Sequence, residues 1–452
     1  MAGKPVSVHA AVGTEAPQTL YHRGHPHRLH NVSRWLRVLG PGLVTGAADD
    51  DPSGITTTSQ TGATLGLGQI WLVLYVLPFM ITVQEMCGRI GLVTGHGIAG
   101  VVRRHYSRKL LAGVMVVIFA ANTINVGADL GAMAAAAGLL IPSAPLYALV
   151  MTFAAGVLAL EIFVPYRHYA RVLKVLSLSL LTYVVAGLVV AGDWSKALRT
   201  TLLPTFQIGP TFWLLVVAVF GITISPYLFF WQASQQVEED VLHHRHHDLQ
   251  HGERLLQAHR LQISRLRLDT VLGMVLAAGT NWFIIFTTAS ALHGHGIRSI
   301  GTAADAAKAL QPLAGNFASA LFALGIVGTG LLAVPVLAGS AAYGVAETFG
   351  WKEGLYRPLH QARGFYGAIA LATVIGLAIN FLKINPIQAL VWAGALNGVV
   401  AVPLLALILW VANDRKVMDT FTNGWLSNLV GGLALLVMAG ATCVLFASFI
   451  LR

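Results

Sequence analysis

Apolar runs of about 20 residues, the length of a helix crossing a bilayer, recur from residue 39 to residue 450 and are separated by short polar stretches. A window of about 19 residues predicts spans at 39–66, 69–94, 109–140, 143–164, 172–192, 211–236, 266–293, 316–346, 364–383, 385–411 and 427–450. The pattern predicts an all-α integral membrane protein of eleven spans behind a tail, 1–38. The first span breaks the pattern, because its middle reads GAADDDPSGITTTSQTG and sets Asp49, Asp50 and Asp51 side by side.

Composition agrees with this reading. Of 452 residues, 56% are hydrophobic and 11% charged, against about 25% charged in soluble domains, and the mean hydropathy is +0.68. A formal charge of +10 raises nucleic acid as a partner, but the charges lie between the spans, where the partner is the lipid bilayer. Cys87 and Cys443 both sit in apolar runs and supply neither a disulfide framework nor a thiolate metal site. The tail carries His9, His22, His25, His27 and His30 without a continuous apolar core, so it reads as a cytoplasmic tail rather than a cleaved signal peptide. With the N-terminus inside, 22 Lys and Arg fall on inner segments and 6 on outer ones. The positive-inside rule therefore predicts a cytoplasmic N-terminus in a cell inner or plasma membrane and a C-terminus outside.

Two spans carry matching irregularities. DDDPSG stands about a dozen residues into the first, and GITISPYLFF, 221–230, about as far into the sixth. In each, proline removes a backbone donor among polar neighbours. Freed backbone groups at membrane depth are tolerated only inside protein or along a cavity, and paired interruptions in two halves point to a transporter site at the midplane. The predicted breaks are Pro52, Ser53 and Gly54 in span 1 and Pro226 in span 6. Because five spans separate them, spans 1–5 (39–192) and 6–10 (211–411) read as inverted repeats, with span 11 (427–450) appended.

At these residues the chain resembles the NRAMP family of divalent metal transporters, whose first and sixth helices carry DPGN and MPH. The resemblance extends to LGPGLVTGAADDDPSG, VQEMCGRIGLVTG (83–95), GADLGAMAAAA (127–137) and ALGIVGTGLLAVPVLAGSAAYG (323–344). It implies a LeuT-like fold and transport of transition-metal ions, commonly with protons. It also places Asp51 at the metal aspartate and the Ile222 carbonyl at a backbone ligand. The departures are specific: Gly54 stands for the motif's asparagine, Ser225 for its methionine, Tyr227 for the histidine after the proline and Gln232 for a second histidine. In span 3 Asp129 persists, while Asn122 and Ala132 stand where other members have glutamates. The chain reads as a divergent branch.

An aspartate at the centre of a span costs about 2.5 to 3.5 kcal/mol on the gentlest scale, so three must face a polar cavity or a cation. Consecutive helical side chains point about 100° apart, so the three converge only where the helix is broken. Asp51 is the candidate cation ligand, with Ile222, Thr223 and Ser225 opposite. Asp49 and Asp50 either supplement the ion or hold freed amides and an interior base. Exchanging a thioether for a hydroxyl shifts preference toward hard ions, Mg²⁺ or Mn²⁺, and loss of the histidines and glutamates predicts weak or absent proton coupling. Asn122, Asn125 and Asp129 share one face at i, i+3 and i+7, as a residual proton route or an interhelical clamp. Glu85 and Arg89 stand at i and i+4, the spacing of an intrahelical ion pair or an inner gate partner. Asn397 in span 10 is helix–helix glue or an approach to the site.

The inner loop 237–265 holds VLHHRHHDLQHGERLLQAH, with His243, His244, His246, His247, His251 and His259. Such a tract binds Zn²⁺-class ions or is a solvated amphipathic segment with incidental histidines, and Glu238, Glu239 and Asp240 before it cap or shield the end of span 6. Three other functional classes compete with this reading. An organic-solute carrier of LeuT type, for solutes such as amino acids and with Na⁺ as a coupling ion, is disfavoured because a run of aspartates repels carboxylate substrates; a membrane receptor or regulatory scaffold accounts better for the His-rich loop but leaves the broken helices unexplained; an enzyme lacks any nucleophile–base constellation or phosphate loop. The expected substrate is a divalent cation, with no cofactor, and the sequence assigns no oligomeric state.

Overall fold

A computed structural model describes residues 41–164, 181–190, 192–207, 209–242, 252–382 and 384–450. These residues are helical and connecting segments, with no strand among them. Span 1 is two helices, α1 (Pro41–Asp49) and α2 (Pro52–Leu65). Then come α3 (Trp71–Thr94), a short α4 (Ile98–His105), α5 (Arg108–Gly138), α6 (Leu146–Phe163), α7 (Leu181–Val189) and the connecting α8 (Trp194–Leu202). Span 6 is likewise split, into α9 (Pro210–Thr223) and α10 (Pro226–Leu242). The second half continues with α11 (Gly252–Ala291), α12 (Ala318–Phe349), α13 (Arg363–Ile379) and α14 (Pro386–Asn413), and α15 (Trp425–Ile450) follows.

Nine helical stretches among the described residues are long and apolar enough to cross a membrane. Eleven spans were expected. Span 1 falls short because it is divided into helices of 9 and 14 residues with a polar middle. Of span 5 only 181–190 and 192 are described, with α7 over Leu181–Val189. The tail 1–38 and the histidines 243–251 lie outside the described residues. The expected loop 237–265 is narrower in the structure, since α10 runs to Leu242 and α11 begins at Gly252.

The packing follows the inverted repeat. Span 3 (α5) lies against span 8 (α12), its counterpart in the other half, and span 1 packs on span 7 (α11) as span 6 packs on span 2 (α3). Without an apolar driving force between helices in lipid, close approach comes from small residues. A methyl on Gly221 of α9 would overlap the Gly394 carbonyl and the Gly398 amide of α14, and one on Gly127 would meet the Gly376 carbonyl at 2.6 Å. These glycines set the distances at which spans 6 and 10, and spans 3 and 9, pack.

One end of the bundle is tied by acids. Glu238 accepts a short hydrogen bond from Tyr343 and another from the Leu355 amide at 2.7 Å, which pins the segment after α12 to the end of span 6. Glu347 accepts from the Gly100 amide at 2.9 Å while Arg103 donates to the Glu347 carbonyl at 2.7 Å, so the first turn of α4 is held to α12. Within that segment Glu353 is pushed up to about 9, first by burial and then by the Glu347 and Glu238 carboxylates, against the opposing charges of Arg103 and Arg357. The folded protein therefore holds a proton there that the unfolded chain releases at ordinary glutamate pKa, and stability falls as pH rises through that window. Thermal melts from about pH 5 to about pH 9 are expected to show this decline, and Glu353→Gln to flatten it.

Candidate cation site

The interruption of span 1 falls at Asp50–Asp51, just before the expected Pro52–Gly54. Proline sterically excludes its predecessor from the helical region, and Asp51 accordingly has φ −69° and ψ 171°. Pro52 then occupies the first helical position, where its missing donor costs nothing, and Ser53 and Gly54 complete the first turn. Span 6 repeats the device. Its α9 ends at Thr223, Ile224 leaves the helix with ψ 60°, and Pro226 starts α10. All four residues expected as breaks begin or build new helices instead.

Asp51 caps α2. Its Oδ1 accepts from Ser53 Oγ and from the Gly54 amide, both at 2.6 Å, and an N-cap of this kind is worth about 1 kcal/mol. Its Oδ2 accepts from Tyr227 Oη at 3.2 Å, and the same phenol donates to the Ala48 carbonyl at 2.8 Å. Tyr227 is itself held through its carbonyl by Ser340 Oγ of α12 at 2.7 Å. One side chain of span 6 thus spans the break in span 1, binding the end of α1 and the start of α2.

The remaining expected ligands are arranged differently. Ser225 Oγ donates to the Gly221 and Ile222 carbonyls at 3.0 and 2.7 Å, and Thr223 Oγ1 to Val219 and Phe220 at 2.8 and 3.2 Å. No hydrogen bond among the described residues joins these three to Asp51. The two breaks nevertheless share a neighbour. A methyl on Gly394 of α14 would lie 2.9 Å from Ile222 Cγ2 and 3.3 Å from Thr57 Oγ1. The hydroxyls of Thr56 and Thr57 are buried without hydrogen-bond partners and supply neutral oxygen beside the breaks.

Asp50 accepts from Asn281 Nδ2 of α11 at 3.1 Å. Asp49 and Asp129 are buried, at 1% and 0% exposure, and neither accepts a hydrogen bond. Asp129 lies within electrostatic reach of Asp51 and the Ser53 amide. Buried carboxylates without partners are rare enough to need an explanation. Among the described residues no three His, Cys, Asp or Glu side chains gather closely enough to enclose an ion by themselves.

Other residues separate from the site. Asn122 Nδ2 donates to the Leu337 carbonyl at 3.2 Å, and Asn125 and Asn397 exchange amide hydrogen bonds at 2.8 and 3.1 Å. Span 3 is clamped to spans 8 and 10 through these amides. Gln232 accepts a short hydrogen bond from Thr45 of α1. Glu85 and Arg89 form the i, i+4 pair at 3.2 Å, and Arg267 joins Glu85 at 3.0 Å. Arg89 also donates to the Phe421 carbonyl and to Asn423, both at 2.5 Å, so it ties spans 2 and 7 to the segment before α15. Asn281 was missed in the sequence. Its signal was the polar TN pair inside an otherwise apolar span 7.

Comparison with known proteins places this geometry. The family model Nramp, described as natural resistance-associated macrophage protein-like, matches residues 42–448. The divalent metal cation transporter MntH of Chromohalobacter salexigens is 26% identical over 97% of this chain and 96% of its own, and that of Verminephrobacter eiseniae 24% over 92% and 90%. Among solved structures, the Eremococcus coleocola manganese transporter in complex with an aromatic bis-isothiourea substituted compound aligns with a TM-score of 0.69 at 17% identity, over 92% of this chain and 87% of that one. Inward-facing Mhp1 aligns at 0.50 and 14% identity, over 89% and 90%. The fold is the LeuT-like pair of inverted five-helix repeats with a further helix, broken in spans 1 and 6, and the chain belongs to the Nramp family.

Proposed function

We propose that this protein carries divalent metal cations across the membrane, favouring Mn²⁺ or Mg²⁺, with little or no proton coupling. The observation that carries the proposal is the Asp51 carboxylate, buried at the break of span 1 and bonded across it to Tyr227 of the other broken span. Its relatives named divalent metal cation transporters support the substrate class. An arriving cation displaces the single 3.2 Å bond from Tyr227 to Oδ2, while Ser53 and Gly54 keep Oδ1 oriented. Ser225, Thr223 and the Ile222 carbonyl supply hard oxygens on the opposite side once the Ser225 hydroxyl turns from that carbonyl. Such oxygens suit Mg²⁺ and Mn²⁺.

Weak coupling is inferred from the side chains at the two positions where the resemblance expects histidine. Tyr227 does not titrate near neutral pH in its ordinary range, and the Gln232 amide does not titrate at all. The charge asymmetry of 22 inner against 6 outer Lys and Arg favours a cytoplasmic N-terminus in a cell inner or plasma membrane. In proteoliposomes, Mn²⁺ and Mg²⁺ are expected to enter while internal pH changes little. Acidification proportional to metal entry would refute weak coupling, and absence of either flux would refute the transport reading.

A further inference from the structure

The last two turns of α1 meet α11 along Gly42 and Gly46, and Asp49 continues the same helical face at i+7 from Gly42. The two helices run alongside each other in register. The Gly42 amide donates to Asp269 at 2.6 Å, a methyl on Gly46 would overlap the Gly273 carbonyl, and Asn281 Nδ2 reaches Asp50 at 3.1 Å. Thr280, one residue earlier, lies beside Asp50, its hydroxyl donating to the Leu276 carbonyl at 3.0 Å. The glycines bring the C-terminus of α1, its negative dipole end, directly against these polar residues of span 7.

Acceptors outnumber donors at this crossing. Both Asp49 oxygens and Asn281 Oδ1 are buried without a hydrogen-bond partner, and Asp49, Asp50 and Asn281 are 1%, 3% and 1% exposed. Asn281 Oδ1 shares its carbon with the nitrogen that binds Asp50, so it stays in the same cluster. No ion pair among the described residues reaches Asp49 or Asp50. A divalent ion at Asp51 leaves both Asp49 oxygens and Asn281 Oδ1 still without a partner. A second divalent ion beside the first would add strong repulsion, and a monovalent one adds half as much.

We propose that the carboxylates of Asp49 and Asp50, the side-chain oxygen of Asn281 and the hydroxyl of Thr280 form a second cation seat, for a small hard monovalent ion of the Na⁺ class, filled together with the divalent seat. This rests on the reading that Asp51 holds the transported cation. The two seats adjoin through the unwound residues, so each ion strengthens the binding of the other by the same factor.

The test compares Mn²⁺ uptake by proteoliposomes in Na⁺, K⁺ and choline media of equal ionic strength and pH, with Tm of the purified full-length protein in the same salts. Na⁺ is expected to raise uptake at limiting Mn²⁺ by about fivefold or more and to raise Tm. Asn281→Ala and Thr280→Val lose both Na⁺ effects while keeping the uptake seen in choline. Their Tm in choline reports that they are folded. Asp51→Ala loses uptake in every medium yet keeps the Na⁺ shift of Tm, which separates failure of one seat from failure of the other. Equal wild-type uptake and Tm in Na⁺ and choline would overturn the second seat, and an equal response to K⁺ would overturn its assignment to a small ion.

Discussion

Asp51→Asn is expected to reduce Mn²⁺ uptake about a hundredfold while leaving the protein folded. Asparagine caps helices as well as aspartate does, so its side-chain oxygen can still accept from Ser53 and Gly54, which hold Asp51 at 2.6 Å. The cap survives and the charge does not. Breaking a buried charge pair costs about 3 to 5 kcal/mol, and each 1.4 kcal/mol is about tenfold. Asp51→Ala removes cap and charge together, so it should lose the same flux and about 1 kcal/mol of stability besides. Uptake by Asp51→Asn within a few-fold of wild type would mean that the carboxylate is only a cap.

The second large effect is structural. Gly221→Ala adds one methyl where α9 meets α14, and that methyl would overlap the Gly394 carbonyl and the Gly398 amide. Backbone faces backbone there, and a flexible side chain cannot give way. Overpacking costs about 1 to 3 kcal/mol or more, a large share of a stability of about 5 to 15 kcal/mol. Folded yield and Tm are therefore expected to drop sharply. Gly440→Ala on α15, where nothing lies within 4 Å, should melt like wild type. Equal melting of the two variants would contradict the close helix contact. Because a methyl on Gly394 would also meet Ile222 and Thr57, the same stretch of α14 lies close against both breaks.

Hydropathy alone located most of the spans, because a bilayer demands long apolar helices and tolerates few other solutions. The broken spans were legible for the same reason: aspartates and prolines at that depth have few explanations. Placement of the break was less legible. The sequence pointed at Pro52 to Gly54, whereas the proline acts on the residue before it and unwinds Asp51. Partners were the least legible part. Asn281 lies 231 positions from the Asp50 it binds, and Asn397 lies 272 from Asn125, so only the fold brings them together. Tyr227 stands where the resemblance expects a histidine, but its hydroxyl group occupies a bridging role across the break. Ser225 and Thr223, ligand candidates by sequence, turn their hydroxyls onto their own helix, a habit of Ser and Thr at helix ends that composition cannot reveal.

The most direct test of a cation seat at Asp51 is a structure of the protein soaked with Mn²⁺, with anomalous scattering recorded at the manganese edge. The account predicts one strong peak within coordination distance of an Asp51 oxygen, between the break of span 1 and the Ile222–Ser225 turn of span 6. A map saturated with Mn²⁺ that shows its peak elsewhere, with Asp51 still bonded to Tyr227, would contradict it.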